Sequence, residues 1–188
     1  MTWFRALCFL TAVALAGCAR PSPEEYFAKA QQVERSAAQA ADSLRSPLEV
    51  RRAFEPALEL FESVVREYPH HELAEAALFE IASIRSSNLH TPQEAIDAYN
   101  RYCREYPAGK QAPLAMFMIG YLYNNELHNN DSAAAAYRRF LERFPQSEMA
   151  TSAQFELNTL GKSPEEALPI PVEPQAKKGK KHAPKEPA

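Results

Sequence analysis

The chain is 188 residues long with a formal net charge of −3, and from Cys18 onward the 21 basic residues less Arg5 leave 20 against 24 acidic ones. That balance gives no reason to expect a nucleic-acid partner. Five glycines leave no room for a Gly-rich phosphate loop, and three cysteines, at 8, 18 and 103, supply no disulfide framework.

Residues 1–17 read as an export leader. Arg5 supplies the charged start, and the apolar run from Ala6 to Ala16 follows it. That run is too short to cross a bilayer core of ~30 Å as a helix. It ends in Leu15-Ala16-Gly17-Cys18, which looks like a bacterial lipobox. The resemblance implies cleavage before Cys18, diacylation of its thiol and acylation of the new amino terminus, so that the chain is held in the membrane by lipid. Ala19 after the cysteine, by the sorting rule of the same resemblance, favours the outer membrane facing the periplasm. The alternative is an ordinary secretory signal cleaved near Ala16 or Ala19, with Cys18 incidental.

Residues 18–23 are expected as a short stiff tether, since Pro21 and Pro23 both oppose helix. A helical domain is expected over 24–162, and its roughly 140 residues suffice for one continuous core. Ser22 or Pro23 leads into Glu24-Glu25, acidic residues that suit a helix start. The first helix runs to about Leu44, and Ser46-Pro47 breaks it. A second runs from about Leu48 to Tyr68, with Pro56 either kinking it or marking its start near Glu55. In the connection 86–92 Thr91 is the expected cap and Pro92 the first helical residue. In the connection 124–131 the cap falls to Asn130 or Asp131. After Gly161-Lys162 the helical pattern ends.

Three aromatic-Pro pairs, Tyr68-Pro69, Tyr106-Pro107 and Phe144-Pro145, put proline at a constant spacing of 38 residues. Each closes a stretch whose apolar residues step as on one helix face, as in Ala95, Tyr99, Tyr102, Cys103 and Tyr106. Each proline is followed by a second apolar helix, at 76–84, at 114–123 and, in a more polar copy, at 152–160. Such self-similarity marks a solenoid, in which neighbouring repeats bury one another's apolar stripes. Cys103 stands where Val65 and Leu141 stand in the other copies and reads as a small core residue.

This pattern resembles the tetratricopeptide repeat, usually about 34 residues long, stretched here by longer connections. Met116, Ile119, Gly120 and Tyr123 match the family's first-helix positions, and Ala133, Tyr137, Phe140 and Pro145 its second. One copy earlier Leu78, Ile81, Ala82, Ala95, Tyr99, Tyr102 and Pro107 match, with Arg85 where an aromatic is usual. The resemblance covers roughly 53–160. It implies an all-α, right-handed superhelical solenoid of antiparallel helix pairs, with about three repeats and a C-terminal capping helix. The stretched form with a Tyr-Pro ending is similar to outer-membrane assembly lipoproteins (BamD-like) and to Tol-Pal-associated periplasmic proteins (YbgF-like). In the tetratricopeptide family the first helices line a groove that holds peptides. By position Arg85, Asn88, Tyr121, Asn124 and Asn125 are the candidates here, the plainer reading being that Tyr121 packs in the core and the asparagines belong to loops.

Residues 163–188 form a Pro- and Lys-rich tail expected to stay extended, its last 14 residues holding five lysines against one glutamate. It reads as a solubilising end, as a contact for anionic envelope polymers or lipid headgroups, or as a dock for a partner's acidic patch. His90 and His128 occupy the same place in successive repeats, but no carboxylate or cysteine joins them at ligand spacing, so no metal or cofactor is expected. No nucleophile or paired-acid motif appears, and catalysis has no support. The function expected is that of a lipid-anchored envelope scaffold that binds other proteins, with outer-membrane protein assembly the nearest analogy. The alternative is an envelope lipoprotein that contacts peptidoglycan or another anionic polymer through its basic tail.

Overall fold

A computed structural model describes residues 20–163 and Glu166. The expected leader, Cys18 with its expected lipid anchor and all but two residues of the expected tail lie outside the described residues.

Seven helices follow one another along the described chain: α1 (Pro23–Ala41), α2 (Pro47–Glu67), α3 (Glu72–Ser87), α4 (Pro92–Glu105), α5 (Ala112–Asn125), α6 (Asn130–Arg143) and α7 (Ala150–Thr159). Among the described residues there is no strand, and none of these helices is long and apolar enough to cross a membrane. Each helix packs on the one before and the one after it, and α1 also touches α3. The architecture is a helical-repeat solenoid: α1/α2, α3/α4 and α5/α6 are the pairs, and α7 closes the stack.

Local chemistry explains where the helices begin. Ser22 caps α1 through a capping box, its hydroxyl accepting from the Glu25 N–H while the Glu25 carboxylate accepts from the Ser22 N–H. Ser46 caps α2 by accepting from the Glu49 N–H, while the Glu49 carboxylate accepts from the Arg45 N–H, and the helix then runs unbroken through Pro56, so the start expected near Glu55 is not used. Thr91 occupies the cap position of α4, but its hydroxyl donates backwards to the Arg85 carbonyl instead of capping. The cap of α6 is Asn129, one residue before those expected, and its side-chain oxygen accepts from the Ser132 N–H at 3.0 Å. Its chain neighbour His128 has φ 49°, as does His90, and at such a turn asparagine one residue on is placed to reach the first helical amides.

The two connections are copies of one device. Leu89 N–H donates to Ile84 O and Thr91 N–H to Arg85 O; one repeat on, Leu127 N–H donates to Leu122 O and Asn129 N–H to Tyr123 O. The last carbonyls of α3 and α5 are thereby satisfied, at the cost of a left-handed residue that is histidine both times. The tether ahead of α1 is not free: Pro21 O accepts from the Tyr68 hydroxyl at 2.7 Å, and Arg20 lies 3.3 Å from the Glu67 carboxylate.

The core is apolar throughout, and no polar or charged residue among those described is buried in full. Leu78, Ile81, Ala82, Ala95, Tyr99, Tyr102, Met116, Ile119, Ala133, Tyr137 and Phe140 are all buried. Gly120 is buried with them, Tyr123 is half-buried, and Pro107 and Pro145 are exposed at the turns, stopping helices without packing. Aromatic rings repeat their contacts with the period. Phe79 meets Tyr99 and Tyr102 edge-on at 5.6 and 5.7 Å, and Phe117 meets Tyr137 and Phe140 at 5.6 and 6.0 Å.

Helix α7 shows how the stack ends. Where α3 and α5 carry Leu78 and Met116, it carries Gln154; where they carry Ala82 and Gly120, it carries Asn158. Gln154 donates to Asn158 at 2.9 Å on an exposed face. Phe155 falls in register with Phe79 and Phe117, yet it is 47% exposed. A polar outer face is what a terminal repeat needs in water.

Candidate functional site

The first helices of the pairs, α1, α3 and α5, together with α7 share one open face. On α1 and α3 it carries Glu34 and Glu80. Burial pushes the carboxyl of each above the ordinary range, and the charge of Glu80 pushes Glu34 further, offset in part by Arg35. Burial and then Glu80 push the hydroxyl of Tyr99, beneath this face, up to about 12. The N-terminal half of the face is therefore acidic and partly withdrawn from water.

On α5 the same face turns apolar, while α7 offers Ser152, Glu156 and Thr159 at the same register. Leu114, Met118 and Tyr121 lie at i, i+4 and i+7 on α5, and Leu114 and Tyr121 are 37% and 39% exposed. Asn125 continues the stripe and donates to the Tyr121 carbonyl at 3.1 Å. Asn124 reaches across to α7, donating to the Glu156 carboxylate at 3.2 Å. Three of the four exposed large hydrophobic residues described, Leu114, Tyr121 and Phe155, belong to these two helices. Beneath them the hydroxyl of fully buried Tyr137 has no hydrogen-bond partner. Burial, then the neighbouring Glu156 and Tyr121, push that hydroxyl well above the ordinary tyrosine range.

The structure thus brings together three of the five sequence candidates, Tyr121, Asn124 and Asn125, and adds Glu156 to them. The other two lie elsewhere. Arg85 is on the opposite side of its helix, in a cleft of about 370 Å³ lined by Arg51, Glu55, Glu59, Glu62, Arg66 and Glu94. There Arg51 pairs with Glu94 at 2.7 Å, while the buried Nε of Arg85 stops 4.0 Å short of the same carboxylate. Asn88 is the residue that ends α3, and its backbone N–H closes the helix on Ile84. Glu156 was concealed in the sequence because it lies on the polar last copy, and only the packing of α7 against its neighbours places it beside Asn124.

Among the described residues no group of three His, Cys, Asp or Glu side chains is placed to hold a metal. Cys103 is half-buried, and burial raises its thiol above the ordinary value, which makes it a poor nucleophile at neutral pH.

Fold and site together define a helical-repeat protein with an open face along its first helices. Residues 114–147 match the tetratricopeptide repeat family, so the span from α5 through the turn after α6 is a tetratricopeptide repeat. Repeats of this kind typically bind other proteins, which makes a protein-interaction scaffold the class to which the site points. No curated protein matches the chain.

Proposed function

We propose that this protein is a lipid-anchored scaffold of the bacterial envelope that holds another envelope protein against the open face of α5 and α7. The observation that carries the reading is the tetratricopeptide repeat at 114–147, whose first helix presents Leu114 and Tyr121 to solvent. The anchor rests on the Leu15-Ala16-Gly17-Cys18 motif alone. Attachment by two or three acyl chains, at ~0.8 kcal/mol per buried CH₂, holds the scaffold at the membrane for as long as its partner needs it. Outer-membrane protein assembly is the pathway that the stretched Tyr-Pro repeats suggest.

The test is in-cell crosslinking and pull-down with the wild type, Cys18→Ser and Tyr121→Ala. Recovery of barrel-assembly proteins, lost in Cys18→Ser and weakened in Tyr121→Ala, is the expected result. Recovery of other envelope proteins would keep the scaffold and retire the assembly pathway. An unchanged partner set in Tyr121→Ala would remove the α5 face from the model.

A further inference from the structure

One position of the repeat recurs along the open face on three helices. Glu80 on α3, Met118 on α5 and Glu156 on α7 are each 38 residues from the next, and all three are half-buried. The face therefore runs acid, apolar, acid along the stack. Glu34 of α1 adds to the first acidic end, near enough for the charge of Glu80 to act on it. Leu114 and Tyr121 widen the apolar step on either side of Met118.

These carboxylates lack what other acids of the stack have. Between the second helices Arg51 pairs with Glu94 at 2.7 Å and Arg101 with Glu62 at 2.9 Å. Among the described residues no basic side chain forms an ion pair with Glu34, Glu80 or Glu156. Arg35, the chain neighbour of Glu34, relieves it only in part. Helices α3, α5 and α7 carry one basic residue in all, Arg85, and it lies on the opposite side. Glu156 accepts from Asn124 through one carboxylate oxygen and keeps the other. Beneath Glu80 the Tyr99 side chain is only 2% exposed. Its hydroxyl bonds to no described residue, yet unlike that of Tyr137 it is not sealed from water. A charge half withdrawn from water without a counter-ion is unfavourable, and a cation brought by a ligand relieves it.

We propose that the open face takes an extended segment of a partner protein that sets a basic side chain over Glu34 and Glu80, an apolar one on Leu114, Met118 and Tyr121, and a second basic one over Glu156. The inference rests on the reading of this face as a binding surface and adds the chemistry of what is bound. Neighbouring helix axes lie about 8–10 Å apart, an interval that an extended chain covers in about three residues at ~3.3 Å each. The segment therefore reads basic-x-x-apolar-x-x-basic. The Tyr99 hydroxyl supplies a donor for one of its backbone carbonyls. An acidic segment is repelled at both ends, so the charge pattern selects the partner as well as holding it.

The test is fluorescence anisotropy on the full chain with two dye-labelled peptides, Lys-Ser-Ser-Phe-Ser-Ser-Lys and Glu-Ser-Ser-Phe-Ser-Ser-Glu. Binding of the lysine peptide alone is expected, weakening as salt rises. Glu80→Gln should weaken it about tenfold, as should serine in place of the peptide's phenylalanine. Glu80→Gln removes a charge that burial disfavours, so the variant keeps its fold and a loss of binding is not a loss of structure. Equal binding of the two peptides, or a lysine-peptide affinity unchanged in Glu80→Gln, overturns the inference. So does binding that emerges only in a chain carrying Lys177→Ser, Lys178→Ser, Lys180→Ser, Lys181→Ser and Lys185→Ser, which would give the face to the protein's own tail. Capture of an envelope protein through the α5 face, with neither peptide bound, would keep the scaffold reading and sink this one. A bound lysine peptide without any envelope partner in cells would do the reverse.

Discussion

The hydroxyl of Tyr106 donates to the backbone carbonyl oxygen of Pro69 at 3.3 Å, so the tyrosine of one Tyr-Pro pair holds the proline of the pair before it. Tyr68 does the same to Pro21 at 2.7 Å. The third pair has phenylalanine, which has no hydroxyl to give. There Arg143 donates to Pro107 O at 3.1 Å, its guanidinium also lying 5.7 Å from the Phe144 ring centre. Pro69 and Pro107 end α2 and α4 and leave their carbonyls at the surface, and the next repeat takes each carbonyl as an acceptor. Tyr106→Phe should cost about 0.5–1.5 kcal/mol, the net worth of one hydrogen bond, toward the low end because the bond is long and exposed. Urea unfolding of Tyr106→Phe, Tyr68→Phe and the double variant checks it, and the two losses should add.

The regular part of this architecture was legible from spacing alone. The prolines at 69, 107 and 145 set the period, and of the apolar positions between them most are buried, while Leu114 and Tyr121 are exposed. The cap position at Thr91 was legible, though not that its hydroxyl would turn back to Arg85; the cap at Asn129 was missed by one residue, because it follows a histidine at φ 49° that nothing in the residue type announces. The split among the groove candidates was not legible either. Arg85 and Tyr121 both sit late in first helices, but once the period is subtracted, Tyr121 corresponds to Ser83, two residues and therefore roughly 200° away from Arg85. Position within a helix did not say which side it faced.

Gly120 marks a close crossing between α5 and α6. A Cβ there would lie 2.7 Å from the Tyr137 ring, too near for either helix to keep its place. Alanine is worth about 1 kcal/mol more than glycine inside a helix, so Gly120→Ala weighs a local gain against a clash. The clash should win, with a net loss of about 1–3 kcal/mol by thermal or urea unfolding. Gly120→Ala joined to Tyr137→Leu should recover part of it. Equal losses in the single and double variants would show that the ring is not the obstacle.

Two buried tyrosines make an opposed pair. The Tyr102 hydroxyl donates to the Glu75 carboxylate at 2.6 Å and accepts from the Gln111 N–H at 3.2 Å, binding the turn after Pro107 to α3. The Tyr137 hydroxyl has no partner. Tyr102→Phe removes a charge-assisted bond to Glu75, which keeps the Lys110 N–H, and deprives the Gln111 N–H of its acceptor, and should cost about 1.5–3 kcal/mol. Tyr137→Phe removes only an unsatisfied group and should be neutral or stabilising. The same unfolding measurement on both variants separates them, and a similar loss in each would mean that Tyr137 finds a partner in solution.

Glu80 gives the stack a pH dependence of definite sign. Burial raises its carboxyl above the ordinary 4.5, so at neutral pH the folded protein holds a charge that the unfolded chain holds more easily. Between 4.5 and the raised value the folded state binds the extra proton, and stability from this group therefore rises as pH falls through that window. Glu34 behaves alike and carries the repulsion of Glu80 as well. Glu80→Gln should accordingly raise the melting temperature at pH 7.5, remove part of the upward push on Glu34, and lose its advantage as the pH approaches 4.5. Paired melting curves of wild type and variant across that range test the sign. A variant that is less stable at pH 7.5, with a deficit that shrinks at low pH, would mean that Glu80 has a cation beside it and that the acidic half of the face is already partnered.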